Sequence, residues 1–483
     1  MTSGVRWRIG LLAVLVVIIS IIALRTITTR RQAGNPVESL QRLSSSVQFA
    51  DDEPAAAETR STIETDLRPP PEGASSTRDD EVEAPSPCAA ASGPGDPIII
   101  GAILPLSSPG AYDAGFTMQF ALNSAAKIAN RDNGVHGRPV RIITYDSAGI
   151  PRSGALHAER LITQDCAVML VGLYHDNVAA AVLEVAAAYN TPVIIAGAQD
   201  ERLTAGQSPV AFRIAPTQAL RNRNLLAFLT DYFSVERARV WRDGAATVII
   251  VTENQDLSGD AREEVTAGLE AAGITAKTLT AALPISDLSP VITRIVAESM
   301  PPDAIIIDLP AADAVQLQAL LLDLGIGPPS GTLVILDGAD QVRQMASIQA
   351  ADSHAVASWD GPWPTTASDA ARPLVMDFKE YFNRWPEPIA FHAYDSLLLA
   401  VDALCRAYAE QEEVSSEALI AALEATDVDL AEGHYRFAYG SAHPPGADGA
   451  PLTDWHQWLE PPLLFLQRDE SAPATDPLRV IWP

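Results

Sequence analysis

Residues 97–146 read PIIIGAILPLSSPGAYDAGFTMQFALNSAAKIANRDNGVHGRPVRIITYD. The apolar run Pro97–Leu104 is typical of a strand buried on both faces of a parallel sheet. The SSPG loop breaks this run, and Phe116–Ala129 carries the apolar spacing of a helix. The NGVHG turn then leads into a second strand, Val140–Tyr145. The stretch therefore predicts a βαβ unit whose carboxyl edge is where open α/β sheets bind ligands.

The same alternation of strands and helices continues along the chain. Further strands are predicted at Val168–Val171, Pro192–Ile195, Thr247–Thr252, Ala304–Leu309 and Thr332–Leu336. Helices are predicted between strands at Ser153–Ile162, Val178–Tyr189, Leu220–Tyr232, Gly259–Ala272, Leu288–Glu298 and Ala311–Leu324. Alternation of this kind predicts an α/β fold of parallel sheets with helices on both faces and right-handed crossovers.

Short motifs occur along this part of the chain in a fixed order. They are PLS (105–107), NGVHGR (133–138), YDSAGIP (145–151), QDCAVMLVG (164–172), TPVIIAGAQDERLT (191–204), FRIAPT (212–217), AIIIDLPAADA (304–314) and FHAYDSLLLAVDAL (391–404). In order and spacing, Pro97–Pro461 resembles the leucine/isoleucine/valine-binding proteins, the type I periplasmic binding proteins of ABC importers. The resemblance implies two lobes, each a parallel sheet with helices on both faces, joined by three hinge crossings.

The resemblance also implies where the chain passes between lobes. Crossings are expected at FRIAPT, near Ala355–Trp359 and near His434–Phe437. Lobe 1 would contain residues 97–216 and 360–432, and lobe 2 residues 217–359 and 433–470, with 471–483 as a tail. The ligand would lie between the lobes, which would close by a hinge motion.

Composition limits the possible functions. A chain of 483 residues with 47% hydrophobic residues is long enough for more than one buried core. Acidic residues outnumber basic ones 61 to 33, which gives a formal charge of -28. Nucleic-acid binding needs clustered Lys and Arg, so it is excluded as a function. The acidity is expected to keep an exported protein soluble.

The first part of the chain predicts attachment to a membrane. Residues 9–25 are apolar between flanking arginines and are interpreted as an uncleaved transmembrane anchor, with residues 1–8 as a short cytoplasmic tail. A cleaved signal peptide is the alternative, although no small-x-small cleavage site follows the run. Residues 26–96 are rich in Pro, Ala, Ser and acids and predict a disordered linker. The resemblance implies that the globular part is extracytoplasmic.

No catalytic or metal-binding motif is present. Walker loops, Gly-x-Ser-x-Gly, His-Glu-x-x-His and Gly-x-Gly-x-x-Gly after a strand are all missing from the sequence. We therefore expect no enzyme activity, no metal and no cofactor. Of the cysteines, Cys88 lies in the linker, and Cys166 and Cys405 are expected to be buried, inert thiols.

The resemblance places one ligand cluster after the third strand of lobe 1, at Tyr174, Asp176 and Asn177. The family usually has a serine at the position of Asp176, and its hydroxyl binds a ligand carboxylate, which an aspartate would repel. Either the ligand is not a simple α-amino acid, or Asn177 and helix N–H groups bind the carboxylate. The alternative is that Asp176 or Asn177 is only the N-cap of the next helix.

Further contacts are expected from both lobes. The family uses the backbone at the position of Gly197 and a hydroxyl at the position of Gln199, and an aromatic in the first loop, here Tyr112, lines the site. Asp337 aligns with the acid that pairs with the ligand ammonium, unless it only forms an Asp-Gly turn. The family's lobe 2 aromatic is missing near Pro310. A pocket with Asp176 and Asp337 suits a cationic or polar ligand.

These observations predict membrane-tethered binding of a small polar solute, an amino acid, amide or amine, for delivery to an ABC permease. The main alternative is a sensor or regulatory ectodomain of the same fold that acts on a membrane or cell-wall protein. A further alternative is a structural module with a filled cleft. A pocket that closes on a small molecule favours solute binding over that module.

Overall fold

Strands and helices alternate from Ile98 onward in the computed structural model. It describes residues 95–239, 246–253, 259–281, 287–298, 300–327, 330–337, 356–410, 414–468 and 478–482. The predicted tail 1–8, the membrane segment 9–25 and the linker 26–96 up to residue 94 lie outside the described residues.

The strands are Ile98–Leu104 (β1), Val140–Asp146 (β2), Met169–Gly172 (β3), Val193–Ile195 (β4), Ala211–Arg213 (β5), Thr247–Glu253 (β6), Thr275–Ala281 (β7), Ala304–Asp308 (β8), Leu333–Leu336 (β9), Val356–Trp359 (β10), Val428–Asp429 (β11), His434–Tyr435 (β12), Leu464–Arg468 (β13) and Leu478–Trp482 (β14). The helices are Tyr112–Arg131 (α1), Pro151–Thr163 (α2), Asp176–Ala188 (α3), Arg202–Ala205 (α4), Gln218–Arg239 (α5), Gly259–Ala271 (α6), Ser289–Val296 (α7), Ala311–Asp323 (α8), Arg372–Phe382 (α9), Pro388–Glu410 (α10) and Ser416–Glu424 (α11). A short 3-10 helix spans Leu452–Asp454.

The first sheet defines lobe 1. Its order is β2-β1-β3-β4-β5 and every pairing is parallel. Six of the seven residues of β1 are buried, because helices cover the sheet on both sides. The carboxyl ends of the five strands meet at one edge, at Leu104, Asp146, Gly172, Ile195 and Arg213. The βαβ unit and the parallel sheet predicted from the sequence are confirmed.

The second sheet defines lobe 2. Its order is β14-β13-β10-β9-β8-β6-β7, in which the five strands β6 to β10 run parallel, β13 pairs antiparallel with β10, and β14 pairs antiparallel with β13. Alternate residues of β6 enter two cores, Ile249 and Val251 on one face and Val248 and Ile250 on the other. The sheet is therefore covered on both faces. Strand β14 lies within residues 471–483, which were expected to form a tail.

The third passage between lobes lies later in the chain than expected. Tyr435, Phe437 and Trp458 all belong to the core of lobe 1. The Tyr435 ring stacks on Trp458 with centroids 4.0 Å apart, and Phe437 contacts Phe212 at 5.2 Å. These buried aromatics hold residues 434–458 on lobe 1, so the chain crosses after Trp458 and enters the lobe 2 sheet at Leu464.

A buried arginine joins the first and third crossings. Arg213, at the end of β5, is fully buried, and its Nε donates to Gln457 Oε1 at 2.6 Å. The other guanidinium nitrogens donate to Thr204 Oγ1 (2.8 Å) and to the Asp200 carbonyl. Burial lowers the pKa of Arg213 to about 10, against the opposing effect of nearby carboxylates. Arg213 remains charged near neutral pH because that value lies well above 7.

A second buried polar group fixes the turn before β12. Asp395, in α10, accepts hydrogen bonds from the backbone N–H groups of Ala431 and Glu432 and from the Tyr435 hydroxyl. Burial raises the pKa of Asp395 well above its ordinary value, and the neighbouring Glu432 raises it further. The Tyr394-Asp395 pair of the FHAYD motif therefore belongs to the core of lobe 1, where Tyr394 is also buried.

The cysteines differ in part from the prediction. Cys166 is disulfide-bonded and exposed in the turn before β3, so the expectation of a buried thiol is wrong there. The buried apolar run begins only at the following residue. Cys405 is a free, half-buried thiol, and burial raises its pKa, which lowers its reactivity. Cys88 lies outside the described residues.

One described helix is long and apolar enough to cross a membrane. It is the stretch Pro388–Ala409 of α10, and 72% of its apolar window is buried inside the protein. This helix packs in the core of lobe 1, where its apolar faces contact β3, β4 and neighbouring helices. Its composition is explained by that burial.

Replacing Arg213 should destabilise the fold. In Arg213→Met, the oxygens of Gln457 and Thr204 lose a charged donor inside the core, and we expect the free energy of unfolding to fall by about 3–5 kcal/mol. Urea unfolding of the purified protein measures this change. The matched control is Arg202→Met, whose side chain is 77% exposed and pairs with Asp200, with an expected loss below about 1 kcal/mol. Equal losses for the two variants would contradict the structural role of Arg213.

Candidate functional site

The carboxyl edge of lobe 1 brings together four of the residues predicted for the site. The loop after β3 carries Tyr174 and Asp176, and the loop after β4 carries Gly197 and Gln199. A Cβ atom on Gly197 would lie 3.0 Å from the Cα of Tyr174 and 3.2 Å from the Leu173 carbonyl oxygen. The two loops therefore touch through backbone at a place where only glycine fits without displacement.

Asp176 holds these two loops together. Its Oδ1 accepts hydrogen bonds from the backbone N–H groups of Gln199 (2.6 Å) and Asp200 (2.9 Å). Asp176 is the first residue of α3, and His175 occupies the N-cap position without a side-chain cap bond. The aspartate thus bridges to the neighbouring loop instead of capping its own helix. Asn177 is exposed on the first turn of α3.

Tyr112, the first residue of α1, was expected to line the site. Its side chain is 54% exposed, and its ring stacks on Phe116 of the same helix, with centroids 6.0 Å apart. Tyr174 is half-buried and packs edge-on against His175, with ring centroids 5.1 Å apart. Tyr174 therefore lies beside Asp176 and the loop that carries Gly197, and the role of Tyr112 stays a prediction.

The carboxyl edge of lobe 2 is acidic. Asp337 directly follows β9, where its N–H donates to the Ile307 carbonyl at 3.0 Å and its Oδ1 accepts from the Ser358 hydroxyl at 2.8 Å. Asp308 ends β8 and accepts from the Thr252 hydroxyl at 3.3 Å. Asp360 follows β10. Three neighbouring parallel strands therefore end in carboxylates on one edge.

A cationic side chain that the sequence analysis did not select lies among these acids. Arg221, in the first turns of α5, forms an ion pair with Asp360, and its side chain is 18% exposed. Its Nε is buried and has no hydrogen-bond acceptor within the part of the chain that the structure describes. Burial lowers the pKa of Arg221, whereas Asp337 and Tyr174 raise it. Groups of both lobes therefore act electrostatically on this one guanidinium.

The sequence analysis did not select Arg221, although its position just after a crossing distinguishes it. It has no motif of its own, but it follows FRIAPT by one helical turn, and Asp360 follows the second crossing strand. When a positive residue directly follows one crossing and a negative residue directly follows another, the two side chains are expected to form an ion pair. The amide of Asn224, one turn further along α5, donates to the Leu463 carbonyl at 3.0 Å in the third crossing.

These groups surround a small cavity at the hinge end of lobe 2. It is lined by Arg221, Asn224, Leu225, Asp337, Ser358, Trp359, Asp360, Leu463, Leu464 and Phe465. The lining is mixed, with charged and hydroxyl side chains as well as apolar and aromatic ones. Within the described ranges, no group of three His, Cys, Asp or Glu side chains is placed to hold a metal ion.

Residues 97–451 match the protein family described as periplasmic binding protein. An ABC transporter substrate-binding protein from Sphaerobacter thermophilus superposes with a TM-score of 0.63 at 21% identity, over 80% of this chain and 97% of that one. LivJ of Streptococcus pneumoniae, a branched-chain amino acid transporter substrate-binding protein solved with isoleucine, gives 0.60 at 18%, over 80% and 99%. At these sequence identities, the two similarities show a shared fold only.

A curated relative matches over a shorter stretch. The chemotactic signal transduction system substrate-binding protein BasB of Halobacterium salinarum is 34% identical over 95 residues. The match covers 20% of this chain and 23% of that protein, so the chain spans about a quarter of the relative's length.

The bridging role of Asp176 is testable with two variants. Asp176→Ala removes the acceptor of two backbone N–H groups, so we expect the free energy of unfolding to fall by about 1–2 kcal/mol. Asp176→Asn retains an oxygen for both donors and should change it by less than about 0.5 kcal/mol. Urea unfolding of the two variants gives the comparison. If Asn destabilises as much as Ala, the charge of Asp176 matters rather than its oxygen.

Proposed function

Because the chain belongs to the periplasmic binding protein family, we propose that it binds a small polar solute that carries an amine between its two lobes and delivers it to an ABC permease. Proteins of this family and fold are solute-binding proteins and not enzymes. The observation that carries the proposal is the acidic edge of lobe 2, where Asp308, Asp337 and Asp360 end three adjacent strands.

Asp337 is the proposed partner of the ligand amine. It lines the hinge-end cavity together with Ser358, whose hydroxyl orients one carboxylate oxygen at 2.8 Å. An ammonium group bears three donors and no acceptor, so it needs carboxylate and carbonyl oxygens. We propose that Tyr174, Gly197 and Gln199 contact the ligand from lobe 1. Asp176 contributes indirectly, since its carboxylate already holds the loop of Gln199.

Closure follows from contacts to both lobes. A ligand that binds one edge stabilises the closed form only through what it gains from the other edge. The permease then recognises the closed arrangement of the lobes. We also propose that the globular part is extracytoplasmic and tethered by residues 9–25.

A second candidate function is ligand sensing through a membrane receptor. The observation that favours it is the similarity to BasB, which is named as a component of a chemotactic signal transduction system. Both functions require the same ligand-dependent closure of the lobes. They differ only in the membrane protein that recognises the closed form. Co-purification with a permease supports transport, and co-purification with a chemoreceptor supports sensing.

Ligand binding is measured first by native mass spectrometry of the purified protein and by a thermal-shift screen of amino acids, amides and polyamines. We expect one amine-bearing compound to raise the melting temperature, since a ligand at 100 times its Kd adds about 2.7 kcal/mol of stability. No response and no co-purified molecule would contradict solute binding. A response confined to amine-free compounds would contradict the role of Asp337.

Asp337→Asn should weaken binding of the responding compound by at least about 30-fold, because losing one partner of a buried charge pair costs about 2 kcal/mol or more. Isothermal titration calorimetry provides the affinities. Asp369→Asn is the matched control, since it removes the same charge from an exposed side chain paired with Arg372. An unchanged Kd in Asp337→Asn would remove this residue from the site.

A further inference from the structure

The carboxylate of Glu201 joins the two lobes at the first crossing. Glu201 directly follows the loop that carries Gly197 and Gln199, and it is the N-cap residue of α4 in lobe 1. Its Oε1 accepts a hydrogen bond from the backbone N–H of Ala219 at 2.7 Å, in the first turn of α5. Helix α5 packs on the sheet of lobe 2. The bond therefore connects a loop of one lobe to a helix of the other.

This bond satisfies an exposed end of helix α5. The N–H groups of the first helical turn have no acceptor within their own helix, and their positive end favours a carboxylate. The N–H of Leu220 is capped by Thr217 Oγ1 at 3.2 Å, from the crossing itself. The N–H of Ala219 is capped from lobe 1 by Glu201, which lies 18 positions earlier in the chain. Only the second of these caps reaches from one lobe to the other.

Glu201 lies between the candidate site residues of the two lobes. Asp176 holds the loop before Glu201 through the backbone N–H of Gln199. Helix α5 carries Arg221, two residues beyond Ala219, and Arg221 lines the hinge-end cavity. A hydrogen bond of this kind needs a donor–acceptor distance within about 3.2 Å. A change in the angle between the lobes at the first crossing would therefore break it.

We propose that Glu201 is a positioning residue, whose bond to α5 stabilises the described arrangement of the lobes and raises the affinity for the solute. This inference rests on the proposed solute-binding function and adds to it a residue that does not touch the solute. Glu201 acts on the site through the loop of Gln199 on one side and through α5 on the other. Without its carboxylate, the lobes adopt other angles more often, and binding has to restore the described arrangement.

Distances between the lobes test the inference without any solute. Leu156 in lobe 1 and Leu324 in lobe 2 are exposed, and spin labels carried there by p-acetylphenylalanine leave the cysteines unchanged. Double electron–electron resonance on the full chain gives the distance distribution. In Glu201→Ala, the ratio of altered to original distances should rise about fivefold, which corresponds to the loss of one hydrogen bond. Glu201→Gln keeps an acceptor oxygen and should stay within about twofold of the unsubstituted protein.

Thr217→Val is the matched control, because it removes the other cap of the same helix. Urea unfolding should show a similar loss of stability in Thr217→Val and Glu201→Ala, since each leaves one N–H of the first turn without its acceptor. Only Glu201→Ala should change the distances between the lobes. Identical distributions in Glu201→Ala and the unsubstituted protein overturn the inference, as does an equal change in Thr217→Val.

Affinity provides the second test. L-leucine, L-lysine and 1,4-diaminobutane are titrated by calorimetry, and for each that binds, Glu201→Ala should raise the Kd about fivefold and Thr217→Val should leave it within about twofold. An unchanged or lower Kd in Glu201→Ala overturns the inference. If no compound of the wider screen binds, the proposed function fails, and the distance measurement alone decides whether Glu201 positions the lobes.

Discussion

The burial of one guanidinium sets the geometry on which the two lobes depend. Arg213 ends the last strand of the first sheet, and its hydrogen bonds to Gln457 and Thr204 hold the third crossing against the first. A fully buried charge is tolerated only where its donors are satisfied, so these segments have little freedom to shift separately. The first and third crossings are therefore held in place on lobe 1 at the point where they lead into lobe 2.

The candidate site uses the same segments on their lobe 2 side. Helix α5 begins just after the first crossing, and its Arg221 and Asn224 reach the second and third crossings through Asp360 and the Leu463 carbonyl. Under the proposed function, a ligand in the cavity contacts residues that lie beside all three crossings. The same side chains would then take part in ligand binding and in lobe closure, as the proposed function requires.

The sequence predicted the strands that are buried along their whole length. It did not predict the contacts between segments that are distant in the chain. Strands such as β1 and β8 were predictable because a strand covered on both faces must be apolar throughout. Strands β13 and β14 are short, and β13 joins the sheet by pairing antiparallel with β10, far earlier in the chain, so no local sequence pattern predicted them. The bridging role of Asp176 depends on loop residues 23 positions away, and the partner of Arg221 is further still.

The strand order has a consequence for how the protein acquires its structure. Lobe 1 is not complete until Trp458 has joined the core that begins with Ile98, and one of the two edge strands of lobe 2 is Leu478–Trp482. During synthesis, residues of β1 to β5 emerge long before the segments that cover and brace them. Pairings between distant residues form slowly and leave apolar surface exposed in the meantime. A chain built in this order has to be kept from associating with its neighbours until nearly all of it has been made.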